Sequence, residues 1–190
     1  MHPKREQMLE AAVDKFAQYG AESTTMQEIA QEAGVGKGTL YRYFDNKEDL
    51  ISSLIETGIT ELIDQVQEAV ADLTSPIEKL EEVIITQLEF YNSNRSFSKF
   101  LTREIWGYKD KFEQNIQKIR SNYTVIVEEI IKQGINNGDF KDVNTETAAT
   151  SLIGMVNITA LHWFMFKESF PVQEIKDDII NLYFEGVVKS

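Results

Sequence analysis

The chain has 190 residues and a formal net charge of −12, with 31 acidic against 19 basic side chains and no cysteine. Hydrophobic residues make up 42% and charged residues 26%, the balance of a chain that buries a core rather than of a disordered one. The missing thiols exclude disulfides, thiolate metal sites and a cysteine nucleophile, and with only His2 and His162 a multi-histidine metal site is excluded too.

Sparse proline and long stretches of 3.6-residue apolar spacing predict an all-α protein. Leu9, Ala12, Val13, Phe16 and Ala17 form one face of a first helix that stops at Gly20. Thr25 with Glu28 three residues on reads as a capping box for a short second helix ended by Gly34, and a third short helix runs from about Lys37 to Phe44. Asn46 caps a long fourth helix carrying Leu50, Leu54, Leu62 and Val66. Ser75-Pro76-x-Glu78 opens a fifth that reaches about Tyr91, and Asn92-Ser93-Asn94 breaks the pattern. A short helix from Ser96 to Trp106 follows, closed by Gly107, then a long one from Lys109 to Asn136-Asn137-Gly138. Helices over Thr145 to Lys167 and Val172 to Val188 complete a set of about nine.

Residues 25 to 47, TMQEIAQEAGVGKGTLYRYFDNK, have a spacing with physical meaning. Two helices that cross steeply through a tight turn need a small residue where they touch, a glycine in the turn and a large apolar residue on the inner face of the second. Ala30, Gly34 and Leu40 meet those needs, which is the helix-turn-helix pattern. The second helix then turns Lys37, Gly38, Thr39, Tyr41 and Arg42 outward, a set suited to base edges and phosphates in a major groove. Local charge agrees: Lys37, Arg42 and Lys47 stand against Asp45 alone between Val35 and Lys47. Lys4 and Arg5 form a basic arm ahead of the first helix, while residues 51–190 hold 13 basic and 22 acidic side chains. An acidic body repels a duplex everywhere except at the reading face. The bland reading of the same segment is a helical hairpin with a solvated face.

The first 50 residues resemble the DNA-binding head of the tetracycline-repressor (TetR) family. The resemblance is carried by Ala11-Ala12, Phe16-x2-Tyr19-Gly20, Thr24-Thr25-Met26-x2-Ile29-Ala30, Ala33-Gly34-Val35-Gly36-Lys37-Gly38-Thr39-Leu40-Tyr41-x-Tyr43-Phe44 and Asn46-Lys47-x2-Leu50. It implies a helix-turn-helix head over residues 1–46 and an effector-binding and dimerisation body over 47–190. The implied protein is a homodimeric repressor on a palindromic operator, released by a small effector. By matching position, Thr25, Tyr41 and Lys47 would hold phosphates, and Lys37, Gly38, Thr39, Arg42 and Tyr43 would approach bases or nearby backbone. Arg42 stands where many relatives carry an aromatic residue or histidine.

The last two helices correspond to those that build the family's four-helix dimer interface. Here Leu152, Met155, Val156, Thr159, Trp163 and Phe166 line one side of the first, and Ile175, Ile179, Leu182 and Tyr183 one side of the second. The alternative is that they complete the monomer's own core. Aromatic residues concentrate in 90–123, beside the short helix that in this family often borders the effector pocket. Phe90, Phe97, Phe100, Trp106, Phe112 and Tyr123 are the expected apolar lining, with Arg103, Asn115, Asn157 and His162 as polar anchors. The expected effector is hydrophobic, a long acyl chain or an aromatic compound; the same aromatics at helical spacing also serve as plain core.

An enzyme is disfavoured: His162 with Glu104 or Glu168 is the only acid–base pairing to be assembled, and Gly34-x-Gly36-x-Gly38 lacks the strand-loop-helix setting of a phosphate loop. An architectural DNA-binding protein of the same fold without an effector is the nearer rival. No metal, cofactor or membrane partner is expected. The N-terminus lacks the apolar core of a signal peptide and the stretch Ile153 to Phe166 is too short and too polar for a span, so the expected location is the cytoplasm.

Overall fold

The structure, a computed structural model, describes residues 3–104, 113–167 and 169–187, and side chains among these outside 102–104 and 113–121. The described residues form nine helices: α1 (Pro3–Tyr19), α2 (Met26–Glu32), α3 (Lys37–Leu40), α4 (Lys47–Val70), α5 (Pro76–Ser93), α6 (Arg95–Glu104), α7 (Glu113–Asn137), α8 (Thr145–Phe166) and α9 (Val172–Val187).

The helix starts follow from side chains that satisfy exposed amides. Asn46 Oδ1 accepts from the Asp49 amide at 2.8 Å, and Asn144 Oδ1 from the Thr147 amide at 2.8 Å. Gly20 closes α1 at φ 86°, a conformation that costs other residues strain, and its amide donates to the Phe16 carbonyl at 2.9 Å. Three boundaries differ from expectation. α1 begins at Pro3, so Lys4 and Arg5 lie in its first turn rather than on an arm; the Arg5 guanidinium sits 5.6 Å from the centroid of the Phe44 ring. α3 is α-helical only to Leu40, and the chain then tightens into turns in which the Tyr43 and Phe44 amides both donate to the Leu40 carbonyl at 3.0 Å. The break at 92–94 narrows to Asn94, because α5 runs to Ser93 and α6 starts at Arg95.

The chain divides into two compact units, Met1–Ile59 with Asn94–Gln117, and Thr60–Ser93 with Lys118–Ser190. In the first, Met8, Ala12, Phe16, Ile29, Leu40, Phe44, Leu50, Ile51 and Phe100 are fully buried. α6 belongs to this unit although it follows α5 in sequence. Its Phe97 lies against Gly58 of α4, where a Cβ atom would come within 2.3 Å of the ring, so the two helices meet only because position 58 has no side chain. In the second unit Leu80, Ile84, Leu88, Val127, Ile131, Ala149, Leu152, Val156, Ile175 and Ile179 are buried.

Candidate nucleic-acid interface

The turn between α2 and α3 works because Gly34 takes φ 62° and the Val35 amide reaches back to the Ala30 carbonyl at 2.9 Å. Ile29, Ala30, Ala33 and Leu40 are buried beneath it. The opposite face of α3 and the following turn presents Lys37, Gly38, Tyr41 and Arg42 to solvent, with Thr39 and Tyr43 half-buried beside them. The Lys37 ammonium lies 5.9 Å from the Tyr41 ring centroid, so a cation and a hydroxyl share one patch. A Cβ atom at Gly38 would meet nothing within 4 Å, and Gly38 has no positive φ. Nothing among the described residues requires glycine at this position.

Two of the residues expected at phosphates also make contacts within the head. Thr25 caps α2: its hydroxyl accepts from the Glu28 amide at 3.3 Å, while its own amide and hydroxyl both donate to Glu28 Oε2 at 2.7 Å. These bonds hold the Glu28 carboxyl below its usual range, the side-chain one contributing most. A carboxylate therefore stands at the α2 N-terminus as part of a complete capping box. The Lys47 ammonium donates to the carbonyls of Ala21 at 2.7 Å, Thr24 at 3.1 Å and Glu22 at 3.3 Å, which uses all three of its protons.

Residues 8–54 match the family described as bacterial regulatory proteins, tetR family, and residues 73–187 match the tetracyclin repressor-like C-terminal domain. The chain belongs to the TetR family. It is accordingly a helix-turn-helix transcriptional regulator and not an enzyme. The fatty acid metabolism regulator protein of Bacillus subtilis (strain 168) is 26% identical over 186 residues, covering 97% of this chain and 96% of that one. The fold is that of the fatty acid degradation regulator FadR from Bacillus halodurans, with a TM-score of 0.92 at 23% identity over 98% of this chain and 97% of that one. FadR from Bacillus subtilis in complex with stearoyl-CoA superposes with a TM-score of 0.89 at 26% identity over 95% of this chain and 98% of that one.

Within this TetR-family chain the candidate effector residues divide. Arg103, Trp106, Phe112 and Asn115 lie outside the residues whose side chains are described. Phe97 and Phe100 are buried in the first unit, Phe97 against Gly58 and Phe100 on Phe16. Phe90 is buried with its ring 6.0 Å from that of Tyr91. His162 is exposed and tilts against Phe166 at 5.3 Å. Tyr123 and Asn157 come together, joined by Tyr91, a member of the same aromatic concentration, and by Gln87, which the sequence pattern did not single out. Tyr123 Oη donates to Gln87 Oε1 at 2.8 Å, Gln87 Nε2 donates to Asn157 Oδ1 at 2.8 Å, and Tyr91 Oη donates to the same oxygen at 2.6 Å. Gln87 and Tyr123 are buried, and burial holds the Tyr123 hydroxyl well above the usual tyrosine range. The signal for Gln87 was a polar residue inside the apolar stripe Val83, Ile84, Leu88, Tyr91.

The expected dimer residues also divide. Leu152, Val156, Ile175, Ile179 and Tyr183 are buried within the second unit's described core; Met155, Thr159 and Trp163 are half-buried; Phe166 and Leu182 are exposed. The apolar side chains left open on α8 and α9 are Ile158 at 55%, Met165 at 63%, Phe166 at 66% and Leu182 at 68%. By length and composition alone the 22-residue α8 could cross a bilayer, being longer than the apolar stretch within it.

Proposed function

We propose that this chain is a homodimeric repressor that reads a palindromic operator in the bacterial cytoplasm and is released by a long-chain acyl thioester. The observation that carries the DNA-reading part is the α3 face, where Lys37, Tyr41 and Arg42 surround a Gly38 with no role in the protein's own packing. A bare glycine among cations on a recognition helix lets the backbone approach a phosphate or base edge. Lys37, Gly38, Thr39, Tyr41, Arg42 and Tyr43 are therefore assigned to DNA, with the reading head ending near residue 46 and effector and dimer functions beyond it.

A second copy of the chain is the natural cover for α8. A helix that is apolar on more than one side belongs in an interior, and this one leaves Ile158, Met165 and Phe166 open. Two copies meeting through α8 and α9 would bury those residues with Leu182 and place two heads on one duplex.

For the effector, the support is the likeness to the Bacillus subtilis FadR solved with stearoyl-CoA, at 26% identity across nearly the whole chain. An acyl chain suits the hydrophobic effector expected from the sequence. Tyr123 and Asn157, with Gln87 and Tyr91, are the polar groups within the second unit that such a ligand would have to accommodate.

The test is footprinting on DNA flanking the protein's own gene, followed by titration with stearoyl-CoA, octanoyl-CoA and free CoA. The expected result is protection of a palindrome, relieved by stearoyl-CoA and not by CoA. Protection of a palindrome that none of the three relieves would remove the effector assignment and favour the architectural reading. Absence of sequence-selective protection on these or pooled genomic fragments would remove the operator reading itself.

A further inference from the structure

We infer that Asn157 is a specificity-determining residue for the effector, whose side-chain amide donates to the thioester carbonyl oxygen, and that Gln87, Tyr91 and Tyr123 are positioning residues that aim it. The four side chains come from three helices of the second unit, Gln87 and Tyr91 from α5, Tyr123 from α7 and Asn157 from α8. Their hydrogen bonds run in one direction. Tyr123 Oη donates to Gln87 Oε1 at 2.8 Å, and Gln87 Nε2 donates to Tyr91 Oη at 3.1 Å and to Asn157 Oδ1 at 2.8 Å. Tyr91 Oη donates to the same Asn157 oxygen at 2.6 Å. Every polar side-chain proton of the three buried residues is thereby used, and the two protons on Asn157 Nδ2 are left over.

The opposite direction is disfavoured by the donors it would strand. With both amides turned over, Asn157 Nδ2 would donate to Gln87 Oε1 and Tyr91 Oη, and one Gln87 amide proton and the Tyr123 hydroxyl proton would have no acceptor among the described residues. Buried donors without partners are costly, whereas Asn157 is only half-buried. Among the described residues no enclosed side-chain nitrogen or oxygen lacks a partner, so the Asn157 amide nitrogen, which donates to none of them, lies open to an atom from outside. What the cluster turns outward is therefore a donor. Its setting is apolar: Ile84 and Leu88 on α5, Val127 on α7, and Val156 and Ala160 on α8 are buried within about one turn of it along the same helices. A donor in such a setting suits a neutral carbonyl oxygen at the head of a hydrocarbon chain, and the thioester carbonyl is the acceptor of an acyl-CoA that adjoins the chain.

The inference deepens the acyl-thioester reading of the effector and rests on it. The full-length protein is titrated with stearoyl-CoA and with octadecyl-CoA, the thioether in which a methylene group replaces the carbonyl. The parent chain should bind the thioester about tenfold more tightly, the worth of one buried hydrogen bond. Asn157→Asp keeps an oxygen for Gln87 and Tyr91 and removes the two free protons, so it should erase that preference. Gln87→Met should lower it to about threefold or less, because Asn157 can then turn its oxygen outward, and loss of stability alone would not move this ratio. Equal binding of the two ligands by the parent overturns the inference and leaves the effector reading standing. An undiminished preference in Asn157→Asp overturns it as well; if that variant instead weakens the dimer in sedimentation, the amide serves the contact between copies. An undiminished preference in Gln87→Met removes the positioning role. If the parent binds neither ligand, the effector reading fails and the inference falls with it. Should Asn157→Asp not fold, Asn157→Leu decides by the same ratio.

Discussion

The ring of Phe100 on α6 stacks on that of Phe16 on α1 with centroids 5.5 Å apart, and neither has any exposed surface. An aromatic residue from the middle of the chain is thereby part of the core under the helix-turn-helix. Replacing Phe100 by Ala should destabilise the unit by about 3–5 kcal/mol, the cost of a large aromatic lost from a closed core. Urea unfolding measures it. A pocket-lining ring would instead leave unfolding nearly unchanged and weaken acyl-CoA binding.

Two glycines give a paired prediction. Gly38→Ala meets no neighbour and stands in a helix, so stability should be unchanged or raised by about 0.5–1 kcal/mol while operator affinity falls, because the new methyl group holds the backbone away from DNA. Gly58→Ala drives a Cβ atom to within 2.3 Å of the Phe97 ring and should cost about 1–3 kcal/mol. Thermal unfolding and operator titration of both variants check the contrast. Equal losses of stability would sink the claim that position 38 is kept small for an outside partner.

Helix punctuation was legible in the sequence because caps are local: Thr25 with Glu28, Asn46 and Gly20 each act within a few residues, and the structure uses each as read. The α3 face was legible for the same reason, since Leu40 and Gly34 determine which side is buried. Long-range pairing was not. Nothing in the residues around Lys47 tells that three carbonyls some two dozen residues earlier surround its ammonium, and nothing near Phe97 and Phe100 tells that α6 packs with α1 and α4. Periodicity also assigns one face to each helix, whereas α8 is apolar on several. Leu152 and Val156 lie on the stripe read from the sequence and are buried, while Ile158 and Met165, apolar residues on another side of the helix that the stripe omits, are exposed.

Alkaline pH should expose the buried tyrosines. Burial pushes Tyr183 up to about 12, with its hydroxyl donating to the Ala148 carbonyl at 3.0 Å, and burial, with Tyr91 beside it, also holds Tyr123 well above the usual tyrosine range. A phenol whose folded pKa exceeds the unfolded value keeps its proton longer in the folded state. Its contribution is full below about pH 10 and is lost as pH rises towards 12. Urea midpoints measured from pH 8 to 11 should fall above pH 10, and Tyr183→Phe should flatten part of that fall. Tyr123→Phe should in addition cost about 1–3 kcal/mol at neutral pH, because Gln87 Oε1 loses its donor inside the core. An unchanged alkaline slope in both variants would show that other groups govern it.

The open face of α8 and α9 sets the last expectation. Ile158 and Leu182 are more than half exposed in the single chain, so a carboxylate at either position should leave the folded protomer intact. In a dimer that buries both, two such charges would be brought into an apolar contact without a partner, at a cost of several kcal/mol per site. Ile158→Glu and Leu182→Glu should therefore each sediment as monomers at concentrations where the parent chain is dimeric, with unchanged helical circular dichroism. Operator affinity should fall with the dimer, since each lone head engages only one half-site, while weak non-specific binding persists. Variants that stay dimeric with full operator affinity would place the interface on another surface and leave the apolar side of α8 in need of a different cover.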